Sequence, residues 1–129
     1  MSPTEIASTA VIGGTVVYFH DARLSSDGDG FWTPGASTVL VTLAPRKTTS
    51  PVLSLRAGPV RTAVGLAAAG WHRNVMIEPN GQQTIELPQA PTGVLRLRIE
   101  TTTAFVPAER DPASQDRRSL GAWVELSAQ

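Results

Sequence analysis

Apolar and polar positions alternate every two residues along most of the chain, the period of a β-strand and not the 3.6-residue repeat of an amphipathic helix. The clearest run sets Leu95, Leu97 and Ile99 against Arg96, Arg98 and Glu100. One face is apolar and the other ionic, as a half-buried antiparallel strand requires. Val39, Val41 and Leu43 alternate with Thr38, Leu40 and Thr42 between Pro34-Gly35 and Pro45, and β-branched residues bounded by turn formers predict another strand. Thr15 to His20 follows Gly13-Gly14 and reads as the first strand, buried on both faces or nearly so. Val52 to Arg56 predicts a short strand ended by Gly58-Pro59. Val60 to Ala69 fits a strand through Val64, Leu66 and Ala68, although its alanines also permit a short helix.

Asn80-Gly81 is the sharpest local signal, because a two-residue type I′ turn needs positive φ at both positions. Val75 and Ile77 before it and Ile85 and Leu87 after it predict a hairpin, with Pro79 pointing to a slightly longer loop. Leu120 to Leu126 closes the chain with Ala122, Val124 and Leu126 on one face. These segments make about eight strands with Pro/Gly-rich turns and no convincing helix. The expected fold is all-β, a two-sheet antiparallel β-sandwich of immunoglobulin-like or jelly-roll type. Two longer irregular stretches remain, Ala22 to Ser37 and Thr103 to Ser119. Residues 1–12 are expected to form a loose lead-in to one domain spanning 1–129.

Composition narrows the function classes. Eleven Lys and Arg balance eleven Asp and Glu for a formal charge of zero, so no overall field recruits nucleic acid or an anionic membrane. With 41% hydrophobic and 17% charged residues, the chain has the apolar surface for a core. The absence of cysteine removes disulfides, thiolate zinc sites, iron–sulfur clusters and cysteine nucleophiles. No run approaches the roughly 18 apolar residues of a membrane span. Glu5 stands where a signal peptide carries positive charge, so no signal peptide is expected in this chain, which fits a module of a longer exported or membrane-bound parent.

Candidate chemistry is sparse. Asp27-Gly28-Asp29-Gly30 offers carboxylates to calcium only weakly, because the third acid and the closing Glu of a calcium loop are missing and Asp-Gly is good turn chemistry. His20-Asp21 and His72 lack a third ligand at metal spacing, and no serine sits in a nucleophile elbow. No cofactor is expected. Three tryptophans stand among three phenylalanines and one tyrosine. Trp32, beside Phe31 in the long first loop, is expected to plug the core and pin that loop, with a functional platform for a sugar face or a protein partner as the alternative. Trp123 is expected to point outward, opposite Ala122, Val124 and Leu126, and to be half-covered by the guanidinium of Arg96 or Arg98, with a binding surface as the alternative. The stretch Phe105-Val106-Pro107 leads into Glu109, Arg110, Asp111, Asp116, Arg117 and Arg118. There an Arg–carboxylate network either staples the loop across the sandwich end or presents a planar charge pair to a ligand, with Arg56 as a further member.

Gly30-Phe31-Trp32 with Gly35, Leu55-Arg56 with Gly58-Pro59, and Phe105-Val106-Pro107-Ala108-Glu109 leading to Asp116-Arg117-Arg118-Ser119-Leu120-Gly121 and Trp123-Val124-Glu125 resemble an uncharacterised β-sandwich accessory module. That module occurs at the end of predicted bacterial multi-pass membrane glycosyltransferases and related cell-envelope proteins, and the similarity runs from about Val16 to Leu126. The resemblance implies a non-catalytic domain on the envelope side, linked to polysaccharide or glycolipid metabolism. A glycan, a glycolipid or the membrane-bound part of a parent protein is the implied partner. Trp32, Arg56, Glu109, Asp116 and Arg117 are the candidate ligand-binding or loop-stapling residues. An immunoglobulin-like protein–protein interaction module is the alternative, expected to expose an apolar patch around Trp71 or Trp123. A glycoside hydrolase comes third and needs two carboxylates about 5–10 Å apart across a cleft.

Overall fold

The arginine-flanked strand, β9 (Leu95–Thr101), lies inside a six-stranded antiparallel sheet. The computed structural model describes residues 5–46, 51–88 and 93–128. The remaining strands are β1 (Ser8–Ile12), β2 (Thr15–Phe19), β3 (Gly30–Pro34), β4 (Thr38–Pro45), β5 (Pro51–Ala57), β6 (Thr62–Ala68), β7 (Trp71–Ile77), β8 (Gln82–Glu86) and β10 (Leu120–Ala128), with one helical turn, α1 (Pro107–Arg110). One sheet runs β1-β2-β4-β9-β6-β7 and the other β3-β10-β5-β8. The protein is a two-sheet antiparallel β-sandwich.

The period-two pattern sets the core. Val39, Val41 and Leu43 on β4, Leu95, Leu97 and Ile99 on β9, and Val64 and Leu66 on β6 point inward from the larger sheet. Phe31, Leu53, Leu55, Ala122, Val124 and Leu126 meet them from the smaller one. Each large aliphatic or aromatic side chain so buried contributes roughly 1.5–3 kcal/mol relative to exposure. Phe19 and Phe31 meet edge to face across the core, centroids 5.1 Å apart at 81°, the arrangement ring quadrupoles favour.

Four expectations change. Residues 8–12, expected to be loose, form β1, with residues 1–4 outside the described segments. Gly13 and Gly14, at φ 57° and 79°, supply the two positive-φ positions of a type I′ turn and pair Ile12 with Thr15. The Thr15–His20 strand is buried on one face only: Thr15, Val17 and Phe19 are inside while Val16 and Tyr18 are half-buried. The long irregular stretch 22–37 contains β3, which pairs with β10 at the edge of the four-stranded sheet. Finally, Asn80-Gly81 does not join a hairpin, because β7 and β8 belong to different sheets. Pro79 and Asn80 (φ 59°) occupy the centre of a turn closed by the Gly81 N–H on the Glu78 carbonyl at 2.8 Å. That is the signature of a type II turn, which carries the chain across the sandwich instead of back along itself.

Candidate functional site

The outer face of the four-stranded sheet collects the tryptophans and Arg56. Trp123 on β10 is registered opposite Trp32 on β3 and Arg56 on β5, and Arg56 is opposite Gln82 on β8. A row Trp32, Trp123, Arg56, Gln82 therefore crosses all four strands, one residue from each. The adjacent row holds Gly30, Glu125, Ser54 and Thr84. Trp32 faces outward because Phe31 and Thr33, its neighbours on β3, both point into the core. The plug expected of Trp32 is thus Phe31, while Trp32 is half-buried on the outside. Trp123 does face outward, but its companions are Trp32 and Arg56, not Arg96 or Arg98, which lie on β9 in the other sheet. Alternation along a single strand reports the side of a sheet and not which sheet.

The two indoles are fixed. Their centroids are 5.4 Å apart with planes inclined 61°, and Phe105 stands edge-on to Trp32 at 5.5 Å and 75°. The Trp123 ring crosses over Gly30, where a Cβ would come within 2.9 Å of Cζ2. Its Nε1 donates to Glu125 Oε1 at 2.7 Å. Phe105 in turn lies against Gly58, and any Cβ there would collide with the ring. Gln82, exposed on β8, donates its Nε2 to Ser54 Oγ on β5 at 2.6 Å. Among the described residues, the Arg56 side chain makes no hydrogen bond or ion pair.

A bulge sets this register. Between Leu120 and Trp123 the β10 register against β3 shifts, so that Gly121 and Ala122 of β10 face the single residue Thr33 of β3. The amide left over is that of Ala122, and the buried hydroxyl of Thr33 accepts its N–H at 2.9 Å. A buried amide without a partner costs about 1–3 kcal/mol, so Thr33 is what makes the shift tolerable.

Residues 104–119 are held by their backbone. Phe105 and Leu120 exchange both N–H···O bonds, at 3.0 and 2.8 Å, and close the base of the loop. The Gly35 and Ala36 amides donate to the Ser119 and Thr103 carbonyls at 3.0 Å each. Inside, the Ala108 N–H reaches the Asp116 carbonyl at 2.8 Å. Among the described residues, the expected ionic network across the sandwich end does not form. Asp116 instead folds onto Arg118 two residues on: Oδ1 accepts from the Arg118 amide (3.0 Å) and Nε (2.9 Å), and Oδ2 from Nη2 (2.7 Å). Glu109 on α1 and Arg117 are exposed and make no ion pair among the described residues. Of the five candidates, Trp32 and Arg56 share one face, while Glu109, Asp116 and Arg117 lie on the loop that Phe105 ties to Trp32.

Asp21 and Arg23 repeat the Asp116–Arg118 motif, with Oδ1 accepting from the Arg23 amide at 2.9 Å and Oδ2 from Nη2 at 2.7 Å. The signal was the Asp-x-Arg spacing, since an aspartate readily caps the amide two residues on. Hydrogen bonds from Arg118 hold the Asp116 carboxyl at about 2, below the ordinary carboxylate value, and hydrogen bonds from Arg23 lower Asp21 likewise. A depressed carboxyl supports the folded loop above the unfolded value and loses that support as pH falls through the folded one. Carboxyl-carbon NMR should therefore find the Asp116 midpoint near pH 2, returning to the ordinary range in Arg118→Gln. An ordinary midpoint in the unaltered protein would show that the pair is not formed in solution.

Asp27 lies in a tight turn whose amide donates to the Gly30 carbonyl at 2.7 Å, ahead of β3. Asp29, beside Gly28, is exposed in the same turn. Among the described residues no three His, Cys, Asp or Glu gather as a metal site. His20 bridges Nδ1 to the Glu5 carbonyl (2.8 Å) and Nε2 to Thr42 Oγ1 (2.6 Å). The carbonyl only accepts, so Nδ1 carries the proton and this ring ties residue 5 to β4. His72 is exposed on β7. On the outer face of the larger sheet, hollows of about 400 and 380 Å³ flank the small residues of β6, one bordered by Leu40, Arg96 and Arg98 and the other by Asn74, Met76 and Glu100. No helix among the described residues is long and apolar enough to cross a membrane. No protein-family model matches the chain, and no curated protein matches it in sequence.

Proposed function

We propose that the protein is a non-catalytic binding module whose Trp32–Trp123 face takes a glycan. The observation that carries this reading is the row of Trp32, Trp123, Arg56 and Gln82 across one solvent-facing sheet. Indoles offer apolar faces to the C–H surface of a sugar ring, and rings that are already wedged lose little entropy on binding. Next to them, Arg56 brings five guanidinium donors with no partner among the described residues and Gln82 an exposed amide, which suits hydroxyls arranged around a ring. The role as an accessory to envelope polysaccharide or glycolipid metabolism, attached to a membrane-bound parent, rests on the resemblance of the Trp32, Arg56 and 105–125 motifs.

The protein–protein reading has less behind it. The large exposed apolar side chains include Ile6, Val11 and Met76. Val11 on β1 and Met76 on β7 sit on opposite edges of the six-stranded sheet, away from Trp123, and scattered apolar residues are ordinary surface. A hydrolase needs paired carboxylates across a cleft, whereas Glu125 is occupied by the Trp123 indole.

A glycan-array screen tests the reading. The protein should mark a subset of glycans, and Trp32→Ala should weaken that retention at least about tenfold, as loss of a central aromatic anchor does. Far-UV circular dichroism should remain that of the parent. Retention unaffected by Trp32→Ala would remove the face from consideration.

A further inference from the structure

We infer that this face accepts a single, conformationally free glycan chain and not the flat surface of a crystalline polysaccharide. The inference rests on the glycan-binding reading above and concerns the physical form of the ligand. A planar lattice engages several aromatic side chains only when their rings lie in one plane, because each ring stacks by lying parallel to the surface. The Trp32 and Trp123 planes are inclined by 61° at a centroid separation of 5.4 Å. Only one of them can lie flat on a plane at a time.

Neither ring is free to turn into line. Trp123 is held by the 2.7 Å hydrogen bond from Nε1 to Glu125 and lies over Gly30. Trp32 is wedged edge-on between Trp123 and Phe105. Phe105 is itself pinned by its backbone exchange with Leu120 and by contact with Gly58. Making the indoles coplanar would break an aromatic cluster and a hydrogen bond to gain one stacking contact. Phe105 also closes the base of the 104–119 loop with Leu120, the residue of β10 that Pro34 of β3 pairs.

A single chain has the freedom that the lattice lacks. Successive sugar rings rotate about their glycosidic bonds, so one can rest on each indole despite the inclination. Beyond Trp123 the row continues to Arg56 and Gln82, and four strands at about 4.8 Å spacing make it roughly 14 Å long. That length suits a short internal stretch of chain, stacked at the tryptophan end and hydrogen-bonded at the arginine end.

The test compares the two physical forms directly. Native gels cast with soluble mixed-linkage β-glucan, xylan, polygalacturonate or dextran report binding to free chains. Sedimentation with microcrystalline cellulose and crystalline chitin reports binding to flat surfaces. At least one soluble polysaccharide should retard the protein, with retardation weakened about tenfold or more in Trp32→Ala, while the crystalline solids leave it in the supernatant. Arg56→Ala removes an exposed side chain outside the aromatic cluster and should weaken retardation several-fold in a protein that folds normally, so the site remains testable should Trp32→Ala fold poorly. Retention on a crystalline solid that Trp32→Ala or Arg56→Ala abolishes would overturn the inference and leave the glycan-binding reading standing. Failure of every soluble and solid glycan to retain the protein would overturn both.

Discussion

Phe31→Ala should lower the free energy of unfolding by about 3–5 kcal/mol, the range for truncating a buried phenylalanine. Phe31 is 1% exposed and meets Phe19 edge to face in the space between the sheets. Its removal leaves a cavity lined by strands that are each paired on both flanks or at a sheet edge, so the walls cannot close without disturbing the ladders. Against a total stability of about 5–15 kcal/mol, that loss brings the protein close to unfolding at ambient temperature. Trp32, one residue on, points to the other side of the sheet and is half-buried, so Trp32→Ala should cost only about 1–2 kcal/mol, the edge-on contacts plus part of its burial. Urea denaturation of the two variants decides the matter: a midpoint shift near 2 M for Phe31→Ala at an m-value of about 2 kcal/mol/M, and a much smaller one for Trp32→Ala. The reverse order would place Trp32, not Phe31, in the core.

Gly13→Ala should be the more damaging of two alanine substitutions at left-handed positions. Gly13 and Gly28 have φ values of 57° and 68°, so both exact a left-handed penalty of roughly 1–2 kcal/mol for a side chain. Only Gly13 is also crowded: a Cβ there would collide with the Leu126 carbonyl oxygen, while at Gly28 nothing lies within 4 Å. The β1–β2 turn is pressed against the end of β10, and the obstacle is backbone, which cannot rotate away as a side chain does. Overpacking of this kind adds about 1–3 kcal/mol. The expected losses are therefore about 2–5 kcal/mol for Gly13→Ala and about 1–2 kcal/mol for Gly28→Ala, read from thermal or urea unfolding. Equal losses would mean that the turn stands clear of β10 in solution.

Both predictions draw on distinctions that the chain's alternation does not contain. Phe31 and Trp32 are adjacent and both aromatic, so a period of two gives no sign of which goes inside. Pairing with β10 decides it, through a bulge whose spare amide is taken by Thr33. In the same way Asn80-Gly81 correctly marks a turn, yet a turn signal is local. Whether the next strand returns to its neighbour or crosses to the other sheet depends on the whole arrangement of β5, β6, β7 and β8. The charged loop teaches a related lesson. Its residue types promised Arg–carboxylate pairs, and one formed, but between Asp116 and Arg118 at a spacing of two and not across the sandwich. Contacts that close within three residues cost little chain entropy, whereas a cross-sandwich network must order two long arginine side chains.

By itself, the sequence determined the class of the protein and most of its core. Strand-forming residues alternating every two positions can bury one face only by stacking sheets, and Leu95, Leu97, Ile99, Val39, Val41, Leu43, Val124 and Leu126 are inside for that reason. It also identified Trp32 and Arg56 as residues to watch. Their union on one face, with Trp123 between them and Phe105 behind, was decided by tertiary structure alone. Those residues come from strands far apart in the chain, and periodicity within a strand says which way a side chain points while register between strands says what it stands beside.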